Sequence, residues 1–350
     1  MTNLHKGLLA GAAVCAAAVS GFDLPAYAAA FTEFDPSGSV GTYPSAISGG
    51  VITGYYNDSF SVHGFLRAAD GSITTFDPPH SDETYATSIN KAGSITGYYA
   101  ISSGVEHGLA PFDPCTAAGG GCFFVRTADG VITVFTIPEG VPTPLISIND
   151  SGAIAGSYGR NFAFHGFVRS PHGKITTFDP AGSTTTWVTS INQSGMIAGW
   201  CRYSSASHGF VRAADGSIAT FDVPQSITTE AWSIDKAGTI AGDYLDSSKV
   251  FHGFARTADG TITTFDPSGS TDTTASSIAR SGTVTGYYRD SSGKNHGYVR
   301  KTAGKIRSFD PPGSSQTFPM SIDSGRTDRN ATTGYYVDSS SKKHGFLRTP

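Results

Sequence analysis

The residues best suited to chemistry in this chain come as a repeated pair. His63, His165, His208, His252 and His296 each stand 14 residues before an aspartate: Asp77, Asp179, Asp222, Asp266 and Asp310. An imidazole held by a carboxylate is a common unit of general acid–base catalysis, because the carboxylate fixes the tautomer and the ring titrates near neutrality. Five such pairs argue for another role, and His344 would make a sixth if it met Asp35 across the chain ends. One substrate uses one site, whereas a repeated polar pair sets the register of a repeated fold. The pairs are therefore predicted to be structural cross-strand hydrogen bonds. Chemistry is to be sought where the repetition breaks.

Asp58, Asp246, Asp290 and Asp338 form a second partial ring, each in an Asp-Ser turn. Carboxylates beside hydroxyls can hold Ca²⁺, but each stands alone in its repeat without the alternating ligands of a calcium loop. Asx-turns are expected, with no metal. No G-x-S-x-G, H-E-x-x-H, P-loop or dinucleotide fingerprint occurs.

The elements that position these residues follow from a long internal period. The phenylalanine of ITTFDP-like segments recurs at Phe34, Phe76, Phe135, Phe178, Phe221, Phe265 and Phe309, at spacings of 42, 59, 43, 43, 44 and 44. Seven units are present, and one carries an insertion. Each unit holds four short β-prone segments bounded by Gly, Asn, Asp or Pro. Asn90-Lys91-Ala92-Gly93 and Ala69-Asp70-Gly71 read as tight hairpin turns, whereas the proline-bearing segment 77–84 reads as a crossover to the next sheet.

The predicted fold class is all-β, a seven-bladed β-propeller with four-stranded blades. The ends are out of phase: residues 31–35 supply an outer strand, and 317–348 supply three strands that lack one. Pairing them closes the ring and removes exposed edges. The same hairpin sum places each histidine opposite its aspartate. In the unit with the insertion, Cys122 and Thr136 replace both partners together.

Residues 1–28 read as a signal peptide, with Lys6, an apolar run from Leu8 to Ser20 and an Ala26-Tyr27-Ala28 cleavage signal. Bulky Val14 before Cys15 argues against lipidation. Residues 29–350 then form a single secreted or periplasmic propeller with no membrane span. In an oxidising compartment the default reading of Cys115 and Cys122 is a disulfide, and Cys201, which replaces a repeat tyrosine, reads as a buried thiol. A net charge of −4 with 15% charged residues gives no footprint for nucleic acid, and 11% aromatic residues exclude disorder.

The units GSITGYY, HGFVRAADG and ITTFDPPG resemble the HAF-type repeats of secreted bacterial proteins over residues 31–350. That resemblance carries no activity residue by residue. The blade pattern also resembles streptogramin-lyase-type propellers, with a Gly-containing turn before strand two and a D-G turn before the outer strand. That lyase's isolated catalytic His and Glu pattern is not seen, so the resemblance implies architecture alone.

Repetition breaks at one face. At the start of the inner strands stand Tyr43, Tyr85, Trp187 and Phe318, with Pro144, Glu230 and Thr274 in the other places. Loops between strands two and three share this face and add Trp200, Arg202, Arg160, the Cys115–Cys122 loop and His107, a repeat-like histidine inside the 100–121 insertion. Aromatics around a channel mouth with one Glu and two Arg can stack on sugar or hold a peptide; alternatively they only wedge blades together. A non-enzymatic extracellular binding module for a glycan or protein, needing no cofactor, is the favoured expectation. The alternative is a carbohydrate-active or other lyase/hydrolase using His107, Glu230 or Arg202 at the asymmetric rim. If that face is silent, the opposite one with the irregular turn from Asp323 to Asn330 is next.

Overall fold

Turn chemistry sets the strand order of each blade. The computed structural model describes residues 29–101, 115, 121–204, 206–324 and 330–350, and holds 28 strands. In the first blade Gly41–Ser48 is innermost, followed outward by Val51–Asn57, Val62–Arg67 and Ile73–Phe76. Gly93 and Gly71 sit at φ 79° and 96°, the left-handed region that their hairpins need and that a side chain resists. The pattern recurs at 83–135, 141–178, 185–221, 228–265 and 270–309.

The seventh blade is assembled from both ends of the chain. Gln316–Ile322, Thr332–Val337 and Lys343–Thr349 provide three strands, and Ala30–Phe34 pairs antiparallel with the last, from Ala30 opposite Thr349 to Phe34 opposite Gly345. The predicted closure is therefore the observed one. Single parallel bridges, Gly41 to Lys343 and Val62 to Glu83, also join neighbouring blades at their edges.

Three sets of contacts hold blade to blade. Phe65, Phe124, Phe167, Phe210, Phe254 and Phe346 stand at equivalent places and are at most 1% exposed, with Tyr298 filling the sixth blade. Each such burial stabilises by roughly 2–3 kcal/mol. Along the axis, serine hydroxyls accept from the next blade's backbone: Ile148 N–H donates to Ser88 at 3.2 Å, and Ile47 N–H donates to Ser321 at 3.3 Å across the closure. Farther out, an arginine of each blade lies over a phenylalanine of the preceding one, as Arg126 does over Phe76 at 4.9 Å. This last set was not anticipated from the sequence.

The inner strands carry a bulge after the mouth position, as between Pro44 and Ala46 or Ala86 and Ser88. The extra residue lets the aromatic before it stay at the channel mouth while the serine after it turns to the next blade. No helix among the described residues is long and apolar enough to cross a membrane.

Candidate functional site at the channel mouth

Outside blade three, each mouth position on an inner strand pairs with a residue of strand two, and in four blades both are aromatic. Tyr43 stacks on Tyr55 (4.9 Å), Tyr85 on Tyr98 (4.7 Å) and Phe318 on Tyr335 (4.9 Å). These pairs also meet between blades: Tyr55 contacts Tyr85 at 5.0 Å, Tyr335 contacts Tyr43 at 5.4 Å, and Tyr287 contacts Phe318 at 5.2 Å. A continuous arc of seven rings thus runs from Tyr98 in blade two, through blades one and seven, to Tyr287 in blade six. All seven rings are half-buried, so they wedge the blades and still present apolar surface. The two readings of these residues are compatible.

A second aromatic group stands across the mouth. Trp187 stacks on Trp200 at 5.5 Å and meets Phe164 in a tilted contact at 4.1 Å. Trp200 is 9% exposed, and its indole Nε1–H meets no acceptor among the described residues.

Blade five breaks the aromatic arc with acid. Glu230 holds the mouth position and its cross-strand partner is Asp243, which replaces the aromatic of strand two. Asp243 is 4% exposed and accepts a 3.0 Å hydrogen bond from Trp232 Nε1. Burial, and then the charge of Glu230, hold the Asp243 carboxyl well above the usual carboxylate range. Burial also raises Glu230, while the Arg202 guanidinium opposes that rise. Asp243 was missed by sequence reasoning, although its signal is plain: blade five reads Gly-Asp-Tyr where other repeats read Gly-Tyr-Tyr, Gly-Trp-Cys or Gly-Ser-Tyr, none with an acid.

The other expected rim residues divide. Arg202 is exposed near Glu230, whereas Arg160 is ion-paired with Glu139. Cys115 and Cys122 form a disulfide and both are buried, with Tyr99 Oη 3.0 Å from Cys115 Sγ. His107 and most of the 100–121 insertion lie outside the described residues, as do 325–329 of the opposite face's irregular turn. Cys201 is a buried free thiol pushed up to about 11 by burial, so it is a poor nucleophile.

The histidine pairs form as the spacing requires. His63 Nδ1 lies 2.8 Å from Asp77 Oδ2, and His344 Nδ1 lies 2.7 Å from Asp35 Oδ2 across the closure. The expectation that the Asp-Ser turn carboxylates stand alone is corrected. Asp58, Asp246, Asp290 and Asp338 approach Nε2 of His63, His252, His296 and His344 at 3.2–3.5 Å. The turn aspartate lies six residues before its histidine in blades five, six and seven and five before it in blade one, so the hairpin folds it back beside the ring. They remain Asx-turns, as Ser292 N–H to Asp290 at 2.8 Å shows. In these four blades the two partial rings meet as Asp–His–Asp clamps, whereas His165 and His208 keep the single partners Asp179 and Asp222. Glu33, Asp35 and His344 are grouped closely enough for a metal ion, but their atoms are engaged with one another and with Tyr336 at the ring closure.

No protein-family model and no curated protein sequence matches the chain. Solved structures do. A streptogramin B lyase structure is similar at TM-score 0.57 and 13% identity, over 92% of this chain and 98% of that one. Virginiamycin B lyase from Staphylococcus aureus is similar at 0.58 and 14%, over 91% and 99%. The β-propeller domain of the Trilobed protease from Pyrococcus furiosus is similar at 0.58 and 10%, over 89% and 94%. Likeness at such identity speaks for architecture alone, and together with the closed ring of seven four-stranded sheets it identifies the chain as a β-propeller.

Proposed function

We propose that this propeller is a secreted, HAF-type repeat protein that binds an extracellular or cell-surface glycan across its channel mouth, without turning it over. The single observation that carries the reading is the arc of seven half-exposed rings from Tyr98 to Tyr287, faced across the channel by Trp187 and Trp200. Aromatic faces stack on the C–H faces of sugars, and a rigid scaffold holds them at low entropic cost. The signal-like residues 1–28 and the Cys115–Cys122 disulfide support an oxidising, extracytoplasmic setting. A protein or peptide ligand is the next candidate for the same face.

One observation favours a second reading, a carbohydrate-active lyase or hydrolase at the asymmetric rim. Glu230 and Asp243 face each other across adjacent strands, both raised by burial, which is how a carboxyl is kept protonated as a general acid. His107 and Arg202 belong to this reading as further candidates. A glycan array run beside an activity screen separates the two. Capture without turnover, lost in Trp187→Ala/Trp200→Ala, supports the binding module. Turnover lost in Glu230→Gln, Asp243→Asn or His107→Ala would replace it with the enzyme.

A further inference from the structure

We infer that the mouth recognises an acidic glycan, and that the groove between blades six and seven is the subsite for a uronate. This rests on the reading of the mouth as a glycan-binding face and names the chemistry of its ligand. The groove encloses about 610 Å³, within the range of small-ligand sites. Its floor is aromatic: Phe318 stacks on Tyr335 at 4.9 Å and meets Tyr287 edge-on at 5.2 Å. Its rim carries the Arg289 and Lys343 cations, with amides from Asn295 and Gln316.

The two cations are set apart by what they lack. Lys342 and Lys294 lie next to the groove residues in sequence and are paired, with Asp35 at 3.7 Å and Asp310 at 3.5 Å. Lys343 points to the other side of its strand. Its Nζ donates to Tyr43 Oη at 3.0 Å and stands 5.0 Å from the centre of that ring, with no carboxylate at ion-pair distance among the described residues. Arg289 faces Asp272 in the strand register, but Asp272 Oδ1 accepts the Phe251 N–H of blade five at 3.2 Å instead. No ion pair joins Asp272 to Arg289, and the guanidinium is left exposed.

A uronate satisfies both features at once. Its pyranose face stacks on the floor, and its carboxylate projects from the ring edge toward the rim, where it can accept two N–H bonds from a guanidinium. Asp272, the groove's own acid, can accept a sugar hydroxyl. A peptide C-terminus would supply the carboxylate but has no flat apolar face for the three rings.

The test measures binding of tetragalacturonate and a glucuronate-bearing tetrasaccharide by calorimetry, beside their methyl esters and tetra-alanine with a free or amidated C-terminus. The inference expects a uronate to bind, its methyl ester to bind about tenfold or more weakly, and Arg289→Gln and Lys343→Gln each to weaken the acid by a similar factor without affecting the ester. Both variants should melt as the parent does, since neither residue is in the core. Equal binding of acid and ester overturns the inference, as does failure of both uronates while neutral glycans still bind at the mouth. Both outcomes leave the glycan reading standing. Failure of every glycan overturns both, and binding of the free-ended peptide alone replaces them with a peptide site.

Discussion

The guanidinium of Arg67 lies 5.1 Å from the ring centre of Phe34, and that contact joins the first blade to a strand that belongs to the last. The same relationship recurs around the ring, as in Arg348 over Phe309 at 4.7 Å. At the closure it is reinforced by Asp35 on His344 and by Ser321 accepting from Ile47.

Closure is therefore a concentrated source of stability. Deleting residues 29–36 removes Phe34, Asp35 and a whole edge strand, and should lower the Tm by roughly 10 °C. A truncated protein that melts with the intact one would contradict the pairing of the two chain ends.

The His252 clamp makes stability depend on pH. For His252, burial alone would lower the imidazole, but hydrogen bonds and charge from Asp266 and Asp246 outweigh it and raise its pKa. A histidine raised in the folded state adds stability below its unfolded value of about 6.5, and loses it as pH climbs through the raised value. The turn carboxylates Asp58, Asp246 and Asp338 are held below their usual range, chiefly by backbone or serine hydrogen bonds, and their contribution is lost in acid instead. Tm should be highest in mild acid and fall as pH climbs above about 6.5. His252→Gln should flatten that fall; an unchanged slope would count against His252 as the titrating group.

Asp243 carries the sign opposite to that of the turn carboxylates. Its carboxyl is raised, so the folded state holds a proton that the unfolded chain releases, and stability drops as pH rises above about 4. Asp243→Asn keeps an acceptor for Trp232 and should raise the Tm at pH 7.5 while leaving it unchanged at pH 4. A lower Tm at pH 7.5 would mean that the ionised carboxylate is itself stabilising.

At the tip of one rim hairpin, Asn161 and Phe162 have φ of 51° and 63°, and Phe162 is fully exposed. A bulky side chain in the left-handed region is strained with no burial to offset it. Phe162→Gly should stabilise the fold by about 1 kcal/mol, read as a rise in Tm. A loss of stability would show that the ring makes a contact absent from this description.

The seven-fold period made the blade order and the closure readable, because each turn type admits only one connection. The His63–Asp77 register was readable for the same reason: one hairpin fixes it. The Arg–Phe contacts were not, since they join different blades and no local turn links the two residues. The Asp58–His63 approach depended on how a loop folds back over its own hairpin. Asp243 was visible as a departure from the repeat, but its meaning needed Glu230 opposite it, and strand register supplied that only once the inner-strand bulge was seen.

The chain has three tryptophans, Trp187, Trp200 and Trp232, and all three lie at the mouth or directly against its acidic pair. Intrinsic fluorescence therefore reports on this face and little else. The most direct test is a fluorescence titration with any glycan that the protein captures. The account predicts a saturable change in emission with the same midpoint as binding, and loss of both in Trp187→Ala/Trp200→Ala. A captured glycan that leaves the emission unchanged and binds the double variant equally well would place the ligand elsewhere, with the face around Asp323 next to be examined.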